Sequence, residues 1–270
     1  MIDNQRMAEK SGGTMKKWIL TMAAAVLLVS GCQAGGEEAK GTNHQEKNHQ
    51  ARESTTPKAE KFTFNQIKEV SGKKVITNPE NVLVLVNKEY NLPEGYAPKD
   101  LVRPAVRFSF GDEKIEKSLM RKEAAEALEK MFAAAAKDGV YLYAVSGYRS
   151  YNRQVAVFNN EMANSGKAKA NQAVATPGQS EHQTGLAIDI SGKSVGFLLT
   201  DSFENTKEGQ WLAKHAHEYG FILRYPKGKE AITGYQFEPW HYRYVGVEAA
   251  KKIYENGWTL EEFYRNYGKM

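Results

Sequence analysis

Apolar residues are spread unevenly along the chain, and their spacing changes character from one stretch to the next. From Trp18 to Val29 the side chains are apolar or small except for Thr21, directly after the cationic pair Lys16-Lys17. A membrane-spanning helix needs about 20 apolar residues, so this shorter run reads as the apolar region of a secretory signal peptide starting at Met15. Residues 1–14 are polar and lie upstream of that start. From 33 to 60 large apolar side chains are almost absent. Such a stretch cannot bury enough surface to offset its ordering entropy, and it is predicted to be a flexible tether. The folded domain is expected over 61–270.

Within that domain, Asn81–Asn87 is an apolar run that predicts a strand, followed by a Pro- and Gly-containing loop over 92–98. From Glu116 to Lys137 the apolar positions recur three and four residues apart, which predicts a helix closed by Asp138-Gly139. A strand over 140–145 feeds the turn Ser146-Gly147-Tyr148-Arg149-Ser150, and Ser150 is placed to cap a second helix running to about Asn164. Leu186–Ile190 predicts a short strand and Glu208–Tyr219 a helix stopped by Gly220. Phe221–Arg224 returns as a strand, Gln236–Val245 is expected to be extended, and two short helices separated by Gly257 close the chain. Helices and short strands mix without a βαβ period. That predicts an α+β fold with a small, mainly antiparallel sheet and flanking helices.

Composition modifies this picture only slightly. Hydrophobic residues at 41% and aromatics at 11% suffice for a core, and the polar tether accounts for the negative mean hydropathy. A net charge of +5 without a basic stripe or a groove-reading motif argues against a nucleic-acid partner and suits a solvated surface facing anionic polymers. The single cysteine, Cys32, excludes an internal disulfide. Its setting, Leu28-Val29-Ser30-Gly31-Cys32, resembles a bacterial lipobox, which implies lipidation of Cys32 and an extracytoplasmic protein anchored to the cell membrane.

Candidate chemistry emerges by eliminating histidines. His44 and His49 fall in the tether, and His215 and His217 sit two apart on a predicted helix, pointing to different faces. His182 and His241 remain. His182 is followed by Gly185 and then by an apolar strand containing Asp189. A carboxylate there must be paired, hydrogen-bonded or bound to a cation. A structural Asp–His pair and a metal site both satisfy that requirement. The second segment, Glu238-Pro239-Trp240-His241, favours the metal. Two imidazoles and one carboxylate make a three-point zinc site with a position left for water, and Glu238 is then the natural general base. On a regular strand the odd offset puts Glu238 and His241 on opposite faces, so a bend at Pro239 is required to bring them together. Trp240 is expected to pack beneath His241 rather than stack on a substrate.

Three segments in this order, Ser146-Gly147-Tyr148-Arg149-Ser150, Ser180 through Asp189 and Glu238 through His241, resemble the D-alanyl carboxypeptidases of the VanY and LdcB type, over roughly Asn81 to the C-terminus. The resemblance implies a Hedgehog/D,D-peptidase-like fold and Zn2+ held by His182, Asp189 and His241. Glu238 would shuttle a proton, and Arg149, otherwise a surface arginine in a turn, would steady the scissile carbonyl. Ser180, Gln154 and Tyr148 would help hold the substrate, a peptidoglycan stem peptide losing its terminal D-alanine in cell-wall remodelling. A monomer is expected. L,D and D,D specificity stay open with a lean toward L,D, as do two alternatives: an endopeptidase on the same scaffold and a non-catalytic wall-binding lipoprotein.

Overall fold

The centre of the molecule is a four-stranded antiparallel sheet whose two inner strands are buried along their whole length. In the computed structural model, which describes residues 62–166 and 174–268, the strands are β1 (Ile67–Val70), β2 (Lys73–Ile76), β3 (Tyr90–Asn91), β4 (Leu101–Val102), β5 (Met120–Arg121), β6 (Tyr143–Ser146), β7 (Ala187–Ser191), β8 (Phe221–Leu223) and β9 (His241–Tyr244). The central sheet runs in the order β6-β7-β9-β8, with every neighbour antiparallel. β1, β2 and β3 form a second small sheet, and β4 pairs with β5. Its helices are α1 (Lys122–Lys137), α2 (Tyr151–Ser165), α3 (Lys207–His215), α4 (Glu230–Thr233), α5 (Val247–Asn256) and α6 (Leu260–Tyr267). This is the α+β class that the mixed pattern predicts. The described residues belong to the compact unit Pro57–Met270. The segments read as signal peptide (1–32) and tether (33–60), with Cys32, His44 and His49, lie outside the described residues.

Strand alternation sorts the central sheet into two chemically different faces. Ile188 and Ile190 of β7 and Tyr242 and Tyr244 of β9 join a core with Leu128, Met131 and Phe132 of α1 and Leu212 of α3. The buried positions of α1, Ala124, Leu128, Met131 and Ala135 among them, follow its helical repeat. The intervening strand positions, Asp189 of β7 and His241 and Arg243 of β9, turn to the opposite face and carry the polar chemistry. A second cluster, with Ile222, Val245, Ile253, Leu260 and Phe263, packs the C-terminal helices against the sheet. Each of those helices is stopped or started by a local device: Gly257 ends α5 in the left-handed region, and Thr259 and Glu262 form a capping box at the start of α6.

Three expectations need correction. Asn81–Asn87 is buried from Leu83 to Asn87 but is not a strand. Side chains satisfy its backbone instead of a ladder: Arg243 Nη2 donates to the carbonyls of Val82 (2.9 Å) and Val84 (2.7 Å). The Tyr264 hydroxyl donates to Leu83 at 2.6 Å, and Asn65 Nδ2 donates to Leu85 at 2.7 Å. The α1 helix begins at Lys122, not Glu116. The preceding backbone is engaged elsewhere, since the Lys117 and Leu119 carbonyls accept the Gly147 and Tyr148 amides and the Arg121 amide reaches the Gly185 carbonyl. The helix expected over 208–219 is regular only to His215 and tightens into a 3-10 turn before Gly220.

Candidate metal centre

Asp189 of β7 and His241 of β9 are register partners, so their side chains leave one face of the sheet side by side. His241 Nδ1 lies 2.9 Å from Asp189 Oδ1. His182 arrives from the 3-10 turn Glu181–Thr184, which Gly185, at φ 67°, folds back into β7. His182 Nδ1 donates to the Gly147 carbonyl at 2.8 Å, because that oxygen can only accept. The backbone can make this approach only at glycine: a Cβ on residue 147 would sit 2.5 Å from the Leu119 carbonyl oxygen. His182 Nε2 is thereby left without its hydrogen, 3.4 Å from Asp189 Oδ2. The potential ligand atoms of His182, Asp189 and His241 lie within 4.8 Å of one another, and all three residues are buried.

These residues fit a divalent cation. Burial holds the His182 imidazole down at about 3 against the attraction of Asp189, so the ring is neutral. A nitrogen lone pair and a carboxylate oxygen then face each other away from water, an opposition that a bound cation resolves. His241 shows the same demand for positive charge. Burial disfavours its cation, yet the Asp189 and Glu181 carboxylates outweigh that and push it up to about 9. Two imidazole nitrogens and one carboxylate oxygen are a donor set for zinc that leaves a fourth position open.

Glu238 reaches this cluster through the bend at Pro239. The His241 amide donates to the Glu238 carbonyl at 3.1 Å, closing a turn that overrides strand alternation and brings Glu238 Oε2 to 3.8 Å from His241 Nδ1. Burial, with a contribution from the Asp189 charge, raises the Glu238 carboxyl to about 7 against the pull of His241 and Arg149. Arg149, Ser180, His182, Asp189, Glu238 and His241 line one cavity of about 220 Å3. Trp240 also lines that cavity while packing against the main core. Gln154 is not on the cavity wall; it accepts from Arg149 Nη1 at 3.0 Å and donates to the Ala175 carbonyl at 2.6 Å. Tyr148 is buried and does not line the cavity either. His215 pairs with Glu218, and His217 stacks on Tyr254 with ring centroids 3.6 Å apart, both away from the cluster.

Sequence reasoning overlooked a buried ionic network behind the cluster. Glu181, Arg224, Arg243 and Glu261 are all buried. Glu181 Oε1 accepts from both Arg224 Nε and Arg243 Nη1 at 2.8 Å. Burial alone would raise the Glu181 carboxyl, and the two guanidiniums hold it far below the usual carboxylate range. The signal was available. Arg243 lies between Tyr242 and Tyr244, and Arg224 ends an apolar strand, settings as costly for a charge as that of Asp189.

The domain is antiparallel α+β and gathers two histidines and an aspartate beside a half-buried glutamate, a residue set suited to a metal-dependent hydrolase. Residues 117–247 match the VanY family, D-alanyl-D-alanine carboxypeptidase. Over an alignment of 277 positions that covers 97% of this chain and 100% of the relative, the chain is 48% identical to the putative carboxypeptidase YodJ of Bacillus subtilis (strain 168). It belongs to the VanY family. Among solved structures it is similar to the LdcB LD-carboxypeptidase, at 58% identity and TM-score 0.73 over 75% of this chain and 94% of that one. It is also similar to the vancomycin-resistance D,D-pentapeptidase VanY in complex with Zn(II), at 36% identity and TM-score 0.55 over 67% of this chain and 98% of that one.

Proposed function

We propose that this protein is a zinc carboxypeptidase that removes the terminal D-alanine from peptidoglycan stem peptides in cell-wall remodelling. The observation that carries the reading is the buried His182–Asp189–His241 cluster with Glu238 at its edge, on the wall of one open cavity. When bound by those three side chains, zinc supplies a Lewis acid that acidifies water and polarises a carbonyl. Glu238, whose burial has already raised its proton affinity, takes the proton of the attacking water and delivers it to the departing amine. Arg149, oriented by Gln154, stabilises the carbonyl oxygen as it gains negative charge. Ser180 lies on the same wall and contributes to holding the peptide.

The greater likeness to the LD-carboxypeptidase LdcB than to the pentapeptidase VanY supports cleavage of tetrapeptide stems. The amino-terminal segments fit an enzyme working outside the cell: 1–32 carries a signal peptide with a lipobox whose lipidated Cys32 becomes the new N-terminus, 33–60 is a tether, and 61–270 is the catalytic domain. Incubating the zinc-loaded protein separately with tetrapeptide and pentapeptide stems tests the reading. Free D-alanine from the tetrapeptide, abolished by a chelator and restored by zinc, is expected. Larger peptide fragments would identify an endopeptidase instead, and binding without hydrolysis a wall-binding protein.

A further inference from the structure

Among the described residues, Glu181 is the one carboxylate in contact with the cluster that the proposed chemistry does not use. Its side chain is fully buried, between Ser180 on the cavity wall and the ligand-position His182. The two oxygens differ sharply. Oε1 is saturated by Arg224 and Arg243 at 2.8 Å each. Oε2 is buried without a hydrogen-bond partner. Facing it at 3.6 Å is His241 Nε2, which is likewise buried and unpartnered.

An acceptor with no donor and a ring nitrogen with no partner, set opposite each other out of water, are two halves of a single hydrogen bond. The pair also fixes direction. A carboxylate held by two arginines can only accept, so the neutral His241 that a metal requires carries its hydrogen on Nε2. That leaves the lone pair on Nδ1, the nitrogen that faces Asp189 and Glu238. The arginines are anchored in turn. Arg224 forks onto Glu261 of α6 at 2.7 and 2.9 Å, and Arg243 Nη2 holds the carbonyls of Val82 and Val84. Glu181 therefore cannot swing away from His241 without breaking two charged contacts.

We infer that Glu181 is a positioning residue for the metal: by accepting from His241 Nε2 it selects the tautomer that presents Nδ1 as a ligand. Glu181 acts through His241 and is not itself a ligand. The inference rests on the reading of His182, Asp189 and His241 as zinc ligands.

Glu181→Gln tests it with little change of shape. An amide that keeps its oxygen on the arginines turns its NH2 toward His241 Nε2, where it can donate but not accept, and so favours the wrong tautomer. Zinc-free full-length protein is titrated with Zn2+ against a competing chelator at fixed pH. The variant is expected to bind about 10- to 100-fold more weakly, the usual effect of losing an outer hydrogen-bond partner of a ligating histidine. In the zinc-loaded wild type, nitrogen NMR should place the His241 hydrogen on Nε2, and in the variant that signature should be lost. Glu261→Gln removes the other partner of Arg224 and is expected to lower the melting temperature while leaving zinc affinity near the wild-type value. If Glu181→Gln does not fold, Glu181→Asp keeps the charge for the arginines, withdraws the carboxylate from His241, and is expected to weaken zinc in the same way. A folded Glu181 variant with wild-type zinc affinity and an unchanged His241 tautomer overturns the inference alone. A wild-type protein that binds no zinc overturns the metal reading and this inference together.

Discussion

At the scale of single residues, the catalytic reading depends most on Glu238. Its carboxyl is raised to about 7 by burial, which makes it a competent proton acceptor near neutral pH but one that acid disables. Replacing it in Glu238→Gln should lower kcat/KM by about 10²- to 10⁴-fold, the range typical for a general base. Zinc affinity, measured by chelator competition, should be retained because Glu238 is not a ligand. The pH profile follows with a definite sign. The base works when ionised, so kcat/KM should fall as pH drops through its pKa. A bound dication favours the carboxylate, which sets the midpoint of that acid limb below 7 in the loaded enzyme. Glu238 was legible as a candidate base in its segment because a carboxylate three residues before a candidate ligand is chemically conspicuous. Glu181 was not, because its role depends on which of its oxygens the arginines occupy, and spacing carries no record of that.

At the scale of elements, the site depends on how closely segments approach one another. The turn after β6 presents the Gly147 carbonyl to His182, and it lies against residues 117–120 with no room for a side chain: a Cβ at 147 meets the Leu119 carbonyl at 2.5 Å and the Lys117 carbonyl at 3.2 Å. Gly147→Ala must therefore displace this turn from its neighbours or from His182. The expected result is a loss of about 1–3 kcal/mol in denaturant unfolding, as for other strained insertions into packed sites, accompanied by weaker zinc binding. A loss of stability with zinc affinity unchanged would show that His182 does not need this carbonyl. The same crowding explains why α1 starts late. Residues from 117 to 121 have helical composition, but their backbone groups serve the Gly147 turn and Gly185. Long-range hydrogen bonds of that kind override a local repeat.

At the scale of the whole molecule, the buried cluster joins strands, a turn and the ionic network beneath them, so metal and fold should stabilise each other. Chelation is expected to lower the melting temperature reversibly. A ligand at about 1,000 times its dissociation constant adds about 4 kcal/mol to stability, a difference that calorimetry with and without excess zinc measures directly. The amino-terminal reading makes a separate prediction. Cys32→Ala should move the protein from the membrane fraction to the soluble fraction without changing the rate at which the zinc-loaded protein releases D-alanine from a soluble stem peptide. Among the described residues no helix is long and apolar enough to cross a membrane.

Much was determined by the sequence itself, where the physics is local. The repeat of α1, the Ser150 cap of α2, the glycine that ends the segment before β8 and the out-of-place Asp189 in an apolar strand are each readable from a few neighbouring residues. Tertiary structure decided what distant partners control. The apolar run 81–87 became a buried segment without a ladder because Arg243, about 160 positions later in the chain, and Tyr264 supply its hydrogen bonds. The bend at Pro239 was required from the sequence, but its extent was settled by the chain closing a turn onto β9. Which nitrogen of His241 faces Asp189 was decided by the strand register on one side and by Glu181, locked by Arg224 and Arg243, on the other. A buried charge finds its partner wherever the fold brings one, and that partner need not be near it in the chain.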